Sequence, residues 1–258
     1  MGYANSISAA NEHRSGMAED ASELTVQAPA AHVSNPSSFG EMVALPESSR
    51  PLLRGMIHQA AFSVSLVVGT LLVVGAEGGS RRVAAAAFAG AVAACFGTSA
   101  LYHRVVWSPR LRAWMRRLDH AAVFLLIAGT YTPIGMLVLA GAWRWLVLGF
   151  AWGSAGAAIV LSFVWPRAPK WVAAAIGLGM GWGGVAILPQ VIARLSGGGV
   201  ALLMAGGLVY SIGAVVYARR RPDPLPSVFG YHELFHALTI VGVACQYVAI
   251  AFFVIHVG

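Results

Sequence analysis

From residue 55 onward, apolar residues run in long stretches broken only by short clusters of Arg, Pro and Gly. Seven stretches come close to the roughly 20 residues that a helix needs to cross a hydrocarbon core of about 30 Å. They lie at about 56–76, 83–103, 119–140, 143–164, 171–190, 199–218 and 232–256. In lipid, backbone N–H and C=O groups must be satisfied within the segment, so each stretch is predicted to be a helix. The third and fourth are separated only by the tight Ala140-Gly141-Ala142 turn. The expected fold is all-α: a multi-pass membrane protein with a seven-helix bundle over residues 51–258.

Residues 1–50 read differently. They hold six of the ten acidic residues, are rich in Ala, Ser, Asn and Pro, and have no apolar period. Such a composition cannot bury enough apolar surface to order itself, so a disordered leader is expected. It lacks the charged-then-apolar layout of a secretory signal.

Composition agrees with a membrane chain: 58% hydrophobic and only 10% charged, against about a quarter charged in soluble domains. The placement of basic residues gives orientation. Twelve lie at one end of the expected bundle (Arg50, Arg54, Arg104, Arg110, Arg112, Arg116, Arg117, Arg167, Lys170 and Arg219–Arg221). Four lie at the other (Arg81, Arg82, Arg144 and Arg194). The excess predicts a cytoplasmic N-terminus and, with an odd number of spans, an outward C-terminus. The net charge of +7 is then topology and contact with anionic lipid; basic residues scattered over membrane-facing loops do not make a nucleic-acid surface. Membrane lipids are the expected partners, and no protein partner is readable. Cys95 and Cys245 fall inside spans, so no disulfide framework is implied. Abundant Arg beside a single Lys, with Ala-rich spans, suggests a bacterial cell membrane.

Against this apolar background the few intramembrane polar residues carry the information, since charge at the bilayer centre costs about 2.5–3.5 kcal/mol on insertion scales. The second run ends in Ser99-Ala100-Leu101-Tyr102-His103, the third opens with Asp119-His120, the seventh with His232, Glu233 and His236, and the first with His58. Five of eight histidines therefore share one depth, near the basic end.

His232 and His236 are four apart and project from one helix face, as do Ser99 and His103. A catalytic zinc takes three protein ligands and leaves a fourth position open. His232 and His236 can supply two ligands and His103 the third, with Asp119 holding a ligand or a bound water from outside. Structural readings compete. An (i, i+4) His pair is a routine helical neighbour relation, His103 can snorkel beside Arg104, and Asp119 can complement a helix dipole or pair with Arg116. His58 and His120, lacking (i, i+4) companions, fit interfacial caps better than ligands. His256 sits at the opposite end.

His232-Glu233-Leu234-Phe235-His236 spells the H-E-x-x-H of zinc proteases. The extended form needs Gly at 239 and His at 242; the chain has Thr239 and Gly242. No acidic residue follows Glu233 and no Asp-Gly pair exists, so neither a downstream carboxylate ligand nor a site-2-type third ligand is present. Glu233 reads as an N-terminal acid of its helix.

Taken together, seven spans, Ser99-x3-His103, Asp119 and His232-x3-His236 resemble the hemolysin III family, which is related to the progestin and adipoQ (adiponectin) receptors. Arg54-Gly55-Met56-Ile57-His58 also resembles bacterial members. The resemblance implies a Zn2+ site near the cytoplasmic face with His103, His232 and His236 as ligands, Asp119 on the zinc-bound water and Ser99 beside the metal as an outer or oxyanion group. His58 matches a His closing the family's first motif, but Arg54 stands where many members have Asn. The expected activity is hydrolysis of a lipid amide or ester, ceramidase-like, with Asp119 and Ser99 as catalytic residues and His58 and Glu233 as accessories. The alternatives are a zinc-stapled sensor or receptor without enzymatic activity, and the membrane lysis that the family name records.

Overall fold

A computed structural model describes residues 51–257; the disordered leader expected over 1–50 lies outside them. Seven helices are long and apolar enough to cross a membrane: α1 Met56–Gly75, α2 Gly79–Arg104, α3 Pro109–Val138, α4 Gly141–Val164, α5 Lys170–Arg194, α6 Gly197–Arg219 and α7 Tyr231–Val254. No β-strand occurs among the described residues, only an isolated bridge between Leu225 and Phe229. With its seven apolar helices the chain is a multi-pass membrane protein.

Every expected boundary but one falls within four residues of the observed one. The exception is the start of the third helix. It begins at Pro109, a favoured first-turn residue, so Asp119 lies well inside the helix instead of opening it. Its first turns carry Arg110, Arg112, Arg116 and Arg117, and this polarity hid them from a count of apolar residues.

The helices pack mainly on their sequence neighbours, and α7 returns to α1 to close the ring. Helix α3 is the most enclosed, with 67% of its apolar window buried, and it meets α2, α4 and α5. Association within lipid relies on close approach of small residues, since hydrocarbon is as apolar as the helices. Gly129 of α3 is the tightest case: a Cβ there would lie 2.3 Å from Ala91 Cβ of α2. Leucine, valine and tryptophan side chains face outward instead, as at Val67, Leu71 and Leu146. Exposed Trp143 and Trp145 at one end of α4, and Trp165 and Trp171 at the other end of the bundle, form the interfacial aromatic belts of a spanning protein.

Helix α5 is broken at mid-depth. A 3-10 stretch over Gly183–Ile187 joins Lys170–Trp182 to Leu188–Arg194. The break follows Gly179, Gly181, Gly183 and Gly184, residues that weaken a helix interior. The freed carbonyls are not left bare: the Tyr131 hydroxyl of α3 lies 2.8 Å from both the Met180 and Gly181 oxygens, within reach of donating to either. Non-helical backbone at this depth is tolerated because neighbouring protein satisfies it.

Candidate metal centre

The N-termini of α1 and α7, the C-terminus of α2 and the early turns of α3 meet at the end of the bundle where the basic loops gather. His103 occupies the last turn of α2, and His232 and His236 the first turns of α7. Helical phasing sends both α7 imidazoles toward α2. His232 Nε2 lies 3.2 Å from His103 Nε2 and 2.7 Å from His236 Nε2. All three side chains offer a nitrogen within 4.8 Å of the others, a group able to hold a metal ion.

The donor set fits such an ion. A neutral imidazole has one N–H and one lone pair, so three converging Nε2 atoms cannot satisfy one another completely. Bonds of about 2.0–2.1 Å from a tetrahedral centre would place ligand nitrogens about 3.3 Å apart; the observed 2.7 and 3.2 Å need only slight opening. Asp119 stands beside the group, its Oδ2 3.9 Å from His103 Nε2, with side-chain exposures of 12% and 8%. Ser99, one turn before His103, is 2% exposed; its Oγ faces the Asp119 carboxyl but meets no partner in normal hydrogen-bond geometry among the described residues.

An apolar cavity of about 270 Å³ opens from this group into the bundle. Ser99, Asp119, His232 and His236 line one part, and side chains such as Ile127, Leu203 and Met204 of α3 and α6 line the rest. The expected residues are thus brought together: His103, His232 and His236 converge with Asp119 beside them, and Ser99, Asp119, His232 and His236 line one end of the cavity.

Two expectations need correction. His58 is not an interfacial cap. It is 3% exposed and faces His236, whose Nδ1 is 2.8 Å from His58 Nδ1 and 3.0 Å from His58 Nε2. Packing of α1 against α7 is what buries it. Glu233 is more than a dipole partner: at 1% exposure its Oε2 accepts from the Gly230 N–H at 3.0 Å, the carboxylate half of a capping box, while its Oε1 accepts from Arg54 Nε. His120 stands apart from the metal group and meets the Tyr217 hydroxyl at 3.3 Å. Arg54 was missed as a site residue. It stands in the turn before α1, with Gly55 at φ +79° between it and the helix, so helical spacing gave no signal of its position.

The chain is similar to several known proteins. The chain is 31% identical to Hemolysin-3 of Bacillus cereus over 157 residues, 61% of this chain and 68% of that protein. A Hemolysin-3 homolog of Bacillus subtilis is 30% identical over 140 residues, 54% of this chain and 63% of the relative. Heptahelical transmembrane protein 4 of Arabidopsis thaliana is 34% identical over 180 residues, 62% of this chain but under half, 46%, of the plant protein. The profile of the haemolysin-III related family matches residues 47–247, from before α1 to the later turns of α7. A match over so much of the chain, including every polar residue gathered at the cavity, shows that this protein belongs to the haemolysin-III related family.

Proposed function

We propose that the protein is a zinc-dependent hydrolase of a lipid amide or ester. The observation that carries the reading is the convergence of three imidazoles, a carboxylate and a buried hydroxyl beside an apolar cavity. A purely structural histidine cluster needs neither the cavity nor a buried hydroxyl beside the carboxylate.

His103, His232 and His236 would hold the ion, and imidazole donors suit zinc. Bound there, zinc would polarise the scissile carbonyl and lower the pKa of a coordinated water toward about 7. Asp119 accepts a proton from the attacking water and returns it to the departing amine or alkoxide, the general base and acid in turn. Ser99 Oγ–H donates to the carbonyl oxygen as negative charge develops on it. The apolar walls hold an acyl chain and keep bulk water from the reacting carbonyl. In the membrane the N-terminus faces the cytoplasm, following the twelve-to-four excess of basic residues, and the site lies near that surface, where the linkage of a membrane lipid can reach it.

The test is purified protein in detergent assayed against ceramides and phospholipids, with and without chelator, beside His236→Ala. Turnover that chelator and His236→Ala both abolish supports the proposal. Zinc retention without turnover of any of these lipids contradicts it and favours a metal-stapled sensor.

A further inference from the structure

One short segment lies against both helices that carry the proposed ligands without supplying a ligand itself. Residues Arg54–His58 form the turn into α1. Gly55 adopts a left-handed conformation, φ +79°, and a Cβ there would stand 2.7 Å from His103 Cβ. The turn's backbone therefore lies directly against the ligand of α2. Arg54 donates from Nε to Glu233, the residue that caps α7 and lies between His232 and His236. His58, four residues on, meets Nδ1 of His236 at 2.8 and 3.0 Å. Upstream, Leu52 N–H donates to the Ser227 carbonyl at 3.0 Å and Leu53 N–H to that of Val228 at 3.2 Å, tying the same segment to the loop before α7.

The two nitrogens of an imidazole point apart. His236 directs Nε2 toward His232 and Nδ1 toward His58, so His58 stands on the far side of the ring from the other two ligands. It cannot join them around a common ion while keeping this contact. Among the described residues it is the hydrogen-bonding neighbour of His236 Nδ1.

We propose that Arg54–His58 is a cradle that positions the ligands: His58 accepts the Nδ1 proton of His236 and so leaves the Nε2 lone pair free for the metal, while Arg54 fixes the first turn of α7 through Glu233. The inference rests on the metal reading of the three-histidine group. It makes His58 and Arg54 positioning residues and gives α1 a part in a centre whose ligands all come from α2 and α7. Outer partners of ligand histidines commonly govern metal affinity by 10–100-fold.

The experiment is a zinc titration of the full-length protein in detergent, in competition with a chromophoric chelator, with thermal unfolding of the metal-stripped protein alongside. His58→Ala is expected to weaken zinc binding 10–100-fold, and His58→Asn, whose amide oxygen can still accept the proton, to retain most of the affinity. Metal-stripped His58→Ala and His58→Asn should unfold at the same temperature. Wild-type affinity in His58→Ala, beside its loss in His236→Ala, overturns the cradle alone. Equal weakening in His58→Ala and His58→Asn also overturns it, by assigning the effect to packing. A wild-type protein that takes up no zinc, or a His236→Ala variant that binds as wild type, overturns the metal reading and the cradle together.

Discussion

Ser99 and Gly55 illustrate how single residues at this site trade stability for arrangement. A buried hydroxyl in poor hydrogen-bond geometry is a liability of up to about 1–3 kcal/mol, and Ser99 Oγ, beside the Asp119 carboxyl, meets no partner in normal geometry among the described residues. Ser99→Ala is therefore predicted to leave the unfolding temperature unchanged or raise it, while lowering hydrolysis about 10²–10³-fold if the hydroxyl is an oxyanion donor; melting curves and initial rates on one preparation check both parts. A drop in stability would show that the hydroxyl has a structural partner. Gly55→Ala should act oppositely. It forces an L-residue to φ +79° and brings a Cβ to 2.7 Å from His103 Cβ, so a loss of about 1–3 kcal/mol is expected by thermal unfolding. At this scale the sequence revealed the ligand candidates, because an (i, i+4) pair and a shared depth survive without tertiary knowledge. It could not reveal that His58 is buried or that Arg54 meets Glu233, since both depend on how α1 faces α7.

Among the helices, the bundle is held by places where small residues let backbones approach. Gly129 of α3 against Ala91 of α2 gives a direct test. A Cβ at 129 would fall 2.3 Å from Ala91 Cβ and 3.2 Å from the Ala87 carbonyl oxygen. Gly129→Ala should cost about 1–3 kcal/mol by overpacking, and adding Ala91→Gly should recover much of the loss. Gly90→Ala, with nothing within 4 Å, should be neutral or slightly stabilising. If Gly129→Ala behaves like Gly90→Ala, the close approach of α2 and α3 is wrong. Helix number and most boundaries were legible because a bilayer demands long apolar runs and the chain contains seven. Two element-level features were not. The Arg-rich opening of α3 breaks the apolar run while remaining helical, and the 3-10 break in α5 is invisible to hydropathy because glycine is not polar. Four glycines over 179–184 were its sequence trace, readable only once Tyr131 is seen to satisfy the freed carbonyls.

For the whole molecule, the ring closed by α1 and α7 joins a polar end to an apolar interior, and the asymmetry of its basic loops sets which way it sits. A reporter active only outside the cytoplasm, fused after the last residue, should be active, and one active only inside should be silent; the reverse pattern would invert the proposed orientation. The account as a whole stands on three imidazoles sharing one ion with a coordination position left for substrate. X-ray absorption at the zinc edge of the purified wild-type protein tests this most directly. It should give one zinc per chain with three nitrogen ligands and one oxygen at about 2.0–2.1 Å. A closed shell of four protein ligands, or no stoichiometric zinc, would contradict it.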